Sequence, residues 1–477
     1  MRLLPGSLLL LLAGCSMVPP MPVVDAGLPE HYRVTTPLEV ERPAVQPRAA
    51  HTLGWVEMFG DPRLRALIQQ ALQHNRDLRV ALSNVEAARA QYGVERSAQW
   101  PRIDARAGGG RERVAESLSS SAVVAGAYSA GVSLSAFEID LFGRVRALSE
   151  AAQARYLASA EGAQAVQISL IAAVADAYLE ERLATEQLHL TETTLADWRQ
   201  SLALARLLKD AKQNSGLDVA QAEGQVASAE ADLEGRLRDL ALARHALVLL
   251  LGGDVPAALP EGLPLAEQPI LTRLPPGLPS DVLLQRPDLR QAEQALRAAN
   301  ADLGAARAAF FPTLSLTASL GYASSALGGL FAGSQQAWSF APQLSLPLFD
   351  HGRLAGNRDL AEARREIAVA QYEKAIQTAF REVADGLAGS ATLDRQLLAQ
   401  QRVVASAERR RALSNLRYRV GQDSRLELLD AQRQAYAAQQ GLLSLRRAVF
   451  KNALTLYKAL GGGLVEGAAP VQGTPPA

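Results

Sequence analysis

The sequence predicts a mainly α-helical fold that also carries transmembrane β-strands, four per chain, contributing to a trimeric twelve-stranded barrel. Three observations predict this fold class. The 477 residues are 48% hydrophobic but only 5% aromatic, a composition rich in Ala and Leu that favours helix. The chain contains two copies of one unit, offset by 209 to 211 residues. Each copy contains two runs of alternating apolar and polar residues, which is the pattern of strands with one apolar face.

The N-terminus has the layout of a secretory signal followed by a lipidation site. One Arg precedes a Leu-rich run that is too short to span a bilayer, which predicts a signal peptide over residues 1–14. The sequence LAGC, which ends at Cys15, resembles the bacterial lipobox, whose cysteine becomes the lipidated first residue. Cys15 is the only cysteine, so the chain forms no internal disulfide. We predict that Cys15 carries lipid, with palmitate among its acyl chains. Ser16, rather than Asp, follows it, and by resemblance to sorted lipoproteins this implies the outer membrane.

The two copies match in a common register. The stretch that begins at Asp77 matches the stretch that begins at Asp288 at an offset of 211, and later residues match at an offset of 209. A unit of about 180 residues is too long for a solenoid repeat. We therefore predict a first repeat over residues 61–253 and a second over residues 279–462.

Each copy begins with a helical stretch and continues into a β-hairpin. The helical stretches, about residues 62–97 and 279–309, run into an aromatic residue followed by proline. Two alternating runs joined by a Ser/Gly-rich loop then predict hairpins over residues 103–137 and 313–348. The predicted strands are Ile103 to Arg113, Val124 to Phe137, Thr313 to Ser324, and Ala337 to Leu348. Pro342 lies within the last strand, where it predicts a bulge or a weak local pairing.

The predicted strands suit a membrane barrel. Their length matches a tilted bilayer crossing, and a bilayer does not tolerate the open edges of a four-stranded sheet, so the chain must oligomerise. Two chains would give eight strands with a filled interior, whereas three give twelve strands and a lumen, so we predict a homotrimer. The apolar face would meet outer-membrane lipid, and the Ser/Thr face would line the lumen. Aromatic residues lie at or near the strand ends, where a girdle is expected: Trp100, Phe137, Phe142, Phe310, Phe311, Trp338 and Phe349.

Stretches without proline after each hairpin predict long helices. The helical pattern continues for about sixty residues to a polar break, KQNSG ending at Gly216 in the first copy and RVGQDS ending at Ser424 in the second. Helices of nearly 100 Å must pack along one another, as in a coiled coil. The helix resumes at Leu217 and at Leu426. The Pro-rich residues 254–278 predict a linker, and residues 463–477 predict a disordered tail.

Charge and motif content exclude several other classes of protein. The net charge is zero and no basic face is apparent, so we expect no nucleic-acid partner. The six histidines have no metal-ligand spacing, and the sequence contains no phosphate loop, nucleophile elbow or dinucleotide-binding glycine pattern. We therefore predict no enzymatic activity, no metal site and no cofactor.

Several motifs together resemble the TolC-like outer-membrane efflux proteins, in particular their lipidated branch. Besides the lipobox and the duplication, they are QRPDLRQAE at Gln285 to Glu293, the FFPTL step, the LSLPLFDHGR run, and YRVGQDSRLELLDAQ at Tyr418 to Gln432. The resemblance covers essentially the whole mature chain. It implies that the trimeric barrel continues into a long periplasmic α-helical barrel, with residues 15–60 and 254–278 in an equatorial region.

The same resemblance implies a function and partners. The chain would be the outer-membrane channel of a tripartite efflux system, which conducts small molecules to the exterior and supports antibiotic resistance. Its partners would be a periplasmic membrane-fusion adaptor and an inner-membrane pump of the RND type. Two alternatives stay open from the sequence: a conduit for secreted polypeptides, and a structural coiled-coil lipoprotein without a pore.

We expect the gate of the channel at the breaks between the long helices. Leu426 and Asp430 share a helix face, and Glu427 flanks it, although periodicity alone also allows Leu426 to be a seam residue beside solvated acids. The resemblance implies that Leu426 forms an apolar ring and Asp430 a ring of concentrated, self-repelling negative charge. The first copy offers Leu217 and Asp218 at the same register, but its LKDAKQNSG departs from the family's arginine-and-glycine turn.

Overall fold

The computed structural model describes residues 16–24, 27, 53–114, 123–213, 215–274 and 286–464. The predicted signal peptide, Cys15 and nearly all of the predicted tail lie outside the described residues. The chain divides into two compact units. The first comprises Met1–Asp25, Ser83–Ala160 and Gln291–Lys374, and the second comprises Ala26–Leu82, Glu161–Arg290 and Ala375–Ala477.

The first unit contains a four-stranded antiparallel sheet. Strand order follows chain order, and the two hairpins join through the second and third strands. The strands are β1 (Ile103–Val114), β2 (Val123–Ile139), β3 (Thr313–Ser324) and β4 (Gln336–Ser345). The sequence places the end of the fourth strand at Leu348, which is wrong: β4 ends three residues earlier, just before a segment that contains Pro347, which has no N–H for a ladder.

The irregularity in this sheet lies on β2 rather than at Pro342. Pro342 pairs with Leu316 without a register shift, because β4 is an edge strand of the chain and an edge strand tolerates proline. The register instead shifts between Leu134 and Phe137. Ala136 has a φ of 46° at this point, and its N–H donates to Thr317 Oγ1 at 3.2 Å. This is a β-bulge, which bends the strand near its end.

The two faces of the sheet differ in polarity. Ser133, Ser319 and Ser339 pair in one row across three strands, and the Ser319 and Ser339 hydroxyl oxygens are 2.7 Å apart. The neighbouring row, on the opposite face, is apolar and exposed, and we call it the apolar row: Val132, Leu320 and Trp338. The sheet therefore has one face suited to water and one suited to lipid.

Helices account for most of the remaining described residues. They are α1 (Trp55–Met58), α2 (Pro62–His74), α3 (Arg76–Ser97), α4 (Arg144–Asp210), α5 (Gly216–Leu251), α6 (Pro287–Ala308), α7 (Arg353–Arg419) and α8 (Arg425–Ala459). The two longest, α4 and α7, both have 67 residues, as expected of a duplicated unit. Among the described residues, only α4 is long and apolar enough to cross a membrane by length and composition, with a window of mean hydropathy 1.3. The same helix contributes Ile171, Val174 and Leu179 to the core of the second unit.

The single helix predicted over residues 62–97 is two helices. Asn75 separates them: its Oδ1 accepts a hydrogen bond from the Leu78 N–H at 2.9 Å, and its Nδ2 donates to the Leu250 carbonyl at 2.9 Å. The buried Asn75 therefore caps α3 and ties the junction to the end of α5. The helices after the breaks also begin one residue earlier than predicted, at Gly216 and Arg425.

A buried carboxylate connects the linker to the core of the second unit. Asp61 is fully buried, and its Oδ2 accepts hydrogen bonds from the Tyr178 hydroxyl at 2.6 Å and from Gln268 Nε2 at 2.9 Å. Its Oδ1 caps α2 by accepting from the Arg63 N–H at 2.8 Å. Burial, followed by the hydrogen bond to Asp61, raises the pKa of Tyr178 well above its usual range. The Tyr178 hydroxyl therefore stays protonated and donates to Asp61.

Candidate functional site

The turn between α7 and α8 fixes the direction of the first turn of α8. Gly421 takes a left-handed conformation with a φ of 75°, and the Gln422 N–H then returns to the Arg417 carbonyl at 2.9 Å. Ser424 caps α8, since its hydroxyl accepts from the Glu427 N–H at 3.3 Å. In the first repeat, Lys212 has a φ of 58° at the matching position, a conformation that costs a non-glycine residue about 1–2 kcal/mol.

Leu426 is exposed in the first turn of α8. Its exposed fraction is 58%, whereas Leu428 and Leu429 are buried. The residues that pack against the neighbouring helices are therefore Leu428 and Leu429, and Leu426 is not a seam residue within one chain. Its apolar side chain is available to other copies of the chain.

The acids beside Leu426 are ion-paired with an arginine that the sequence analysis did not single out. Arg410 on α7 donates from Nη2 to Glu427 Oε1 at 2.6 Å and to Asp430 Oδ2 at 3.0 Å. Its Nη1 donates to Gln434 Oε1 at 2.6 Å, and Gln434 Nε2 in turn donates to Asp430 at 2.9 Å. The hydrogen bond to Glu427 is the main cause of a raised pKa at Arg410. Within one chain, Asp430 is thus not an isolated charge, because it pairs with Arg410 and also lies 3.5 Å from Arg433 Nη2. The ring of negative charge expected in the trimer stays a prediction.

The equivalent turn of the first repeat is built differently. Leu217 is 66% exposed, like Leu426. Asp218, however, forms a capping box: its Oδ2 accepts from the Ser215 N–H at 3.0 Å and from the Ser215 hydroxyl at 2.7 Å. At the offset of 209 residues, Ser201 stands where the second repeat has Arg410. The first repeat thus has Leu217 at the position of Leu426 but no arginine at the position of Arg410. Gln221, which is uncharged, stands at the position of Asp430.

A second arginine anchors α8 to the first repeat. Arg425 is 3% exposed, and its Nη2 donates to Ser201 Oγ at 2.8 Å on α4. Its guanidinium also lies 5.4 Å from the centre of the Tyr418 ring. The first turn of α8 is therefore fixed against α4, while Leu426 on the same turn stays exposed.

A tyrosine on α8 links three helices farther from the turn. The Tyr436 hydroxyl lies 2.8 Å from Thr191 Oγ1 on α4 and donates to Asp232 Oδ2 on α5 at 2.8 Å. Trp198 packs edge-on against its ring at 5.9 Å. Together with Arg425, this contact holds the two repeats together within one chain. In the described part of the chain, no cluster of His, Cys, Asp and Glu is placed to hold a metal ion.

The chain matches a family model in both of its halves. The model is described as "Outer membrane efflux protein", and it matches residues 67–253 and 278–462. These two ranges include all four strands and all of the long helices.

Close relatives cover nearly the whole chain. The solvent efflux pump outer membrane protein SrpC of Pseudomonas putida is 43% identical over 96% of this chain and 98% of its own length. The antibiotic efflux pump outer membrane protein ArpC of Pseudomonas putida is 42% identical over 96% of this chain and 94% of its own length. Among solved structures, the open state of the MtrE outer membrane channel of Neisseria gonorrhoeae is 40% identical, with a TM-score of 0.86 over 94% of this chain and 99% of that one.

Proposed function

Because this chain belongs to the outer membrane efflux protein family and is an outer-membrane efflux channel, we propose that solvents and antibiotics are among the small molecules it conducts. The relatives named for solvent and antibiotic efflux are similar to it over 96% of its length, which supports the proposal. The resemblance predicted from the sequence is confirmed. The family is one of channels rather than enzymes.

The described sheet explains how the channel crosses the outer membrane. Each chain contributes four strands to a trimeric, twelve-stranded barrel, and β1 and β4 are the edges that each chain leaves to its neighbours. The apolar row meets lipid, and the row that contains Ser133 and Ser319 lines the lumen. The helices extend the channel into the periplasm. A periplasmic adaptor and an inner-membrane pump of the RND type complete the system in this proposal.

We assign the gate to the second repeat. Three copies of Leu426 would form an apolar constriction, which its exposure in the single chain supports. Glu427 and Asp430 would form the adjacent polar ring, with a net charge set by Arg410. Leu217 would contribute a second apolar position. Asp218 would have a smaller role, because it is engaged in capping its own helix.

A direct experiment tests the proposed function. The purified trimer is inserted into planar bilayers, and the gene is expressed in a host strain that lacks its own outer-membrane efflux channel but retains the adaptor and the pump. We expect discrete conductance steps and restored tolerance of toluene and of antibiotics. Conductance without restored tolerance would contradict the proposed substrates. Absence of conductance from a folded trimer would contradict a channel.

Arg410→Gln is expected to increase the preference of the channel for cations. The substitution removes the guanidinium that Glu427 and Asp430 share and leaves Asp430 only its longer contact with Arg433, so each chain would present one more uncompensated negative charge to the lumen. The reversal potential in a KCl gradient measures the change. Arg206→Gln in the first repeat, which removes an exposed pair with Glu223, is the matched control. An identical reversal potential for Arg410→Gln and the unmodified channel would place these acids away from the conduction path.

Cys15 is expected to be the mature N-terminus and to carry lipid. It directly precedes a segment that is fixed in the unit containing the sheet: Asn300 Nδ2 donates to the Pro19 carbonyl at 2.6 Å, and Val18 packs against Gly304. Mass spectrometry of the N-terminal peptide should show acyl mass on Cys15, and Cys15→Ala with a supplied secretory signal should still assemble. An unmodified thiol or an uncleaved signal would refute lipidation.

A further inference from the structure

Two arginines on β1 share the lipid-facing side of the sheet. Ala105 pairs with Val132 of the apolar row, and the β1–β2 register continues without a shift to the end of β1. Arg111 and Arg113 are six and eight residues after Ala105 in the same strand, so alternation places them on the same face. Both side chains are exposed. Charged residues on the apolar face of a barrel require an explanation, since they are costly at the middle of a bilayer.

The position of Arg111 and Arg113 along the barrel axis removes this cost. Ile103, on the same face, begins β1, and a strand rises ~3.3 Å per residue, so a tilt of ~40° gives ~25 Å of membrane depth between Ile103 and Arg113. This is about the height of the apolar band of an outer-membrane barrel. β1 follows the helix-bearing, periplasmic end of the sheet at Ile103 and runs towards the hairpin turn. Arg111 and Arg113 therefore lie at the outer boundary, where their long side chains reach the headgroups.

Among the described residues, neither arginine has an ion-pair partner, in contrast to others on the same hairpin. Arg102 pairs with Asp104 at 2.9 Å, and Arg106, on the lumen face, donates to Ser135 Oγ at 3.1 Å. Glu112 lies between Arg111 and Arg113 in the strand, but alternation places it on the opposite face. Two guanidinium groups thus face outward at headgroup depth, and none of the carboxylates in the described residues pairs with them.

We propose that Arg111 and Arg113 form a binding site for the phosphate groups of the outer-leaflet glycolipid, lipopolysaccharide, with one site per chain. A guanidinium group matches a phosphate in charge and in bidentate geometry. Two such groups two residues apart on one strand face lie about 6.6 Å apart along the strand, close enough to bind one glycolipid headgroup together. The site lies on β1, an edge strand of the chain, and therefore beside β4 of a neighbouring copy in the closed barrel. The proposal rests on the proposed function only through the orientation of the barrel in the outer membrane.

Lipid retention by the purified trimer tests this site. Unmodified protein, R111Q/R113Q, R111K/R113K and the lumen-face control R106Q are extracted in mild detergent, and bound lipopolysaccharide is counted by native mass spectrometry. We expect R111Q/R113Q to retain about tenfold less than the unmodified trimer, the effect of losing a charge-assisted hydrogen bond. R106Q should retain as much as the unmodified trimer, and R111K/R113K an intermediate amount, because lysine keeps the charge but not the fork.

Vesicles distinguish the source of the phosphate, and conductance separates this proposal from the channel function. Delipidated trimer should bind vesicles containing lipopolysaccharide more strongly than vesicles of phosphatidylglycerol, and the difference should vanish in R111Q/R113Q, whose conductance should be unchanged. Equal retention by R111Q/R113Q and unmodified trimer, an equal loss in R106Q, or equal binding of both vesicle types would overturn the proposal. If the double variant forms no trimer, the single variants R111Q and R113Q take its place, and each should retain less lipopolysaccharide than the unmodified trimer. High salt should also release lipopolysaccharide from the unmodified trimer. Equal retention in both single variants, or no release by high salt, would overturn the proposal.

Discussion

Replacing Leu426 and Asp430 together with alanine is expected to raise the single-channel conductance roughly several-fold and to admit bulky polar antibiotics to cells. Leu426 supplies the apolar surface of the proposed constriction, and Asp430 is the acid that Arg410, Arg433 and Gln434 hold in place. Removing both widens the ring and releases the contacts that order it. Planar-bilayer recording and growth inhibition by vancomycin measure the two effects.

The amount of folded trimer should not fall in this double variant. Leu426 is 58% exposed, so its truncation leaves no buried cavity, whereas Leu428 is 2% exposed and Leu428→Ala should reduce folded trimer. The matched control is Leu217→Ala with Gln221→Ala, which makes the same truncations at the equivalent positions of the first repeat. We expect a smaller rise in conductance from this control. Unchanged conductance in the Leu426 and Asp430 variant, with trimer intact, would place the gate elsewhere.

Features with a local signal could be predicted from the sequence. Strand alternation repeats every two residues, so the register of polar and apolar side chains followed from the sequence to within a few residues of each strand end. The long helices and the breaks between them followed from periodicity and glycine. The separation of α2 from α3 was missed, although Asn75 is a residue type that favours helix caps.

Features that depend on packing between distant segments could not be predicted. Glu427 and Asp430 were identified from their spacing, but Arg410 was not, because its contact with them depends on the register of two antiparallel helices. Arg410 lies nine residues before the end of α7 and Asp430 five residues after the start of α8, so the available signal was only that both lie near the same turn. The hydrogen bonds of Asp61 could not be predicted either, because its partners Tyr178 and Gln268 lie 117 and 207 residues away from it in the chain.

Arg286→Met is expected to destabilise the second unit by about 1–3 kcal/mol, the usual cost of removing one partner of charge-assisted hydrogen bonds. The cost stays below that of breaking a fully buried pair, because the side chains of Asp288 and Glu382 are 45% and 30% exposed. Arg286 is 4% exposed and donates from Nη2 to Asp288 Oδ2 and to Glu382 Oε2, both at 2.7 Å. Its Nη1 donates to the Ala459 carbonyl at 3.0 Å, near the end of α8. One guanidinium thus joins α6, α7 and α8. The midpoint of thermal loss of helical ellipticity should fall by roughly 3–6 °C.

The pH dependence identifies the carboxylates as the cause of this destabilisation. Burial alone would raise the pKa of Asp288, but the hydrogen bond and charge of Arg286 outweigh it and lower that pKa below its usual range. The stabilisation from Asp288 is therefore complete above the ordinary pKa of an unfolded Asp and is lost as the pH falls through the lower pKa of the folded state. Without Arg286, nothing would oppose the effect of burial, which raises the pKa of Asp288, and protonation would then remove the unpaired negative charge. The difference between unmodified protein and variant should be largest near neutral pH and should shrink below about pH 4.

Arg358→Met is the control for this prediction, because it makes the same substitution in an exposed arginine that pairs with Asp359 at 2.7 Å. An exposed pair contributes little to stability, so its midpoint should change by about 1 °C at most and without a pH dependence. Arg286 and Asp288 fall within the QRPDLRQAE stretch at the start of the second repeat. The prediction therefore also tests whether Arg286 of that stretch stabilises the junction of α6, α7 and α8. A midpoint for Arg286→Met equal to that of Arg358→Met, or a difference that does not shrink in acid, would show that this junction is held by other contacts.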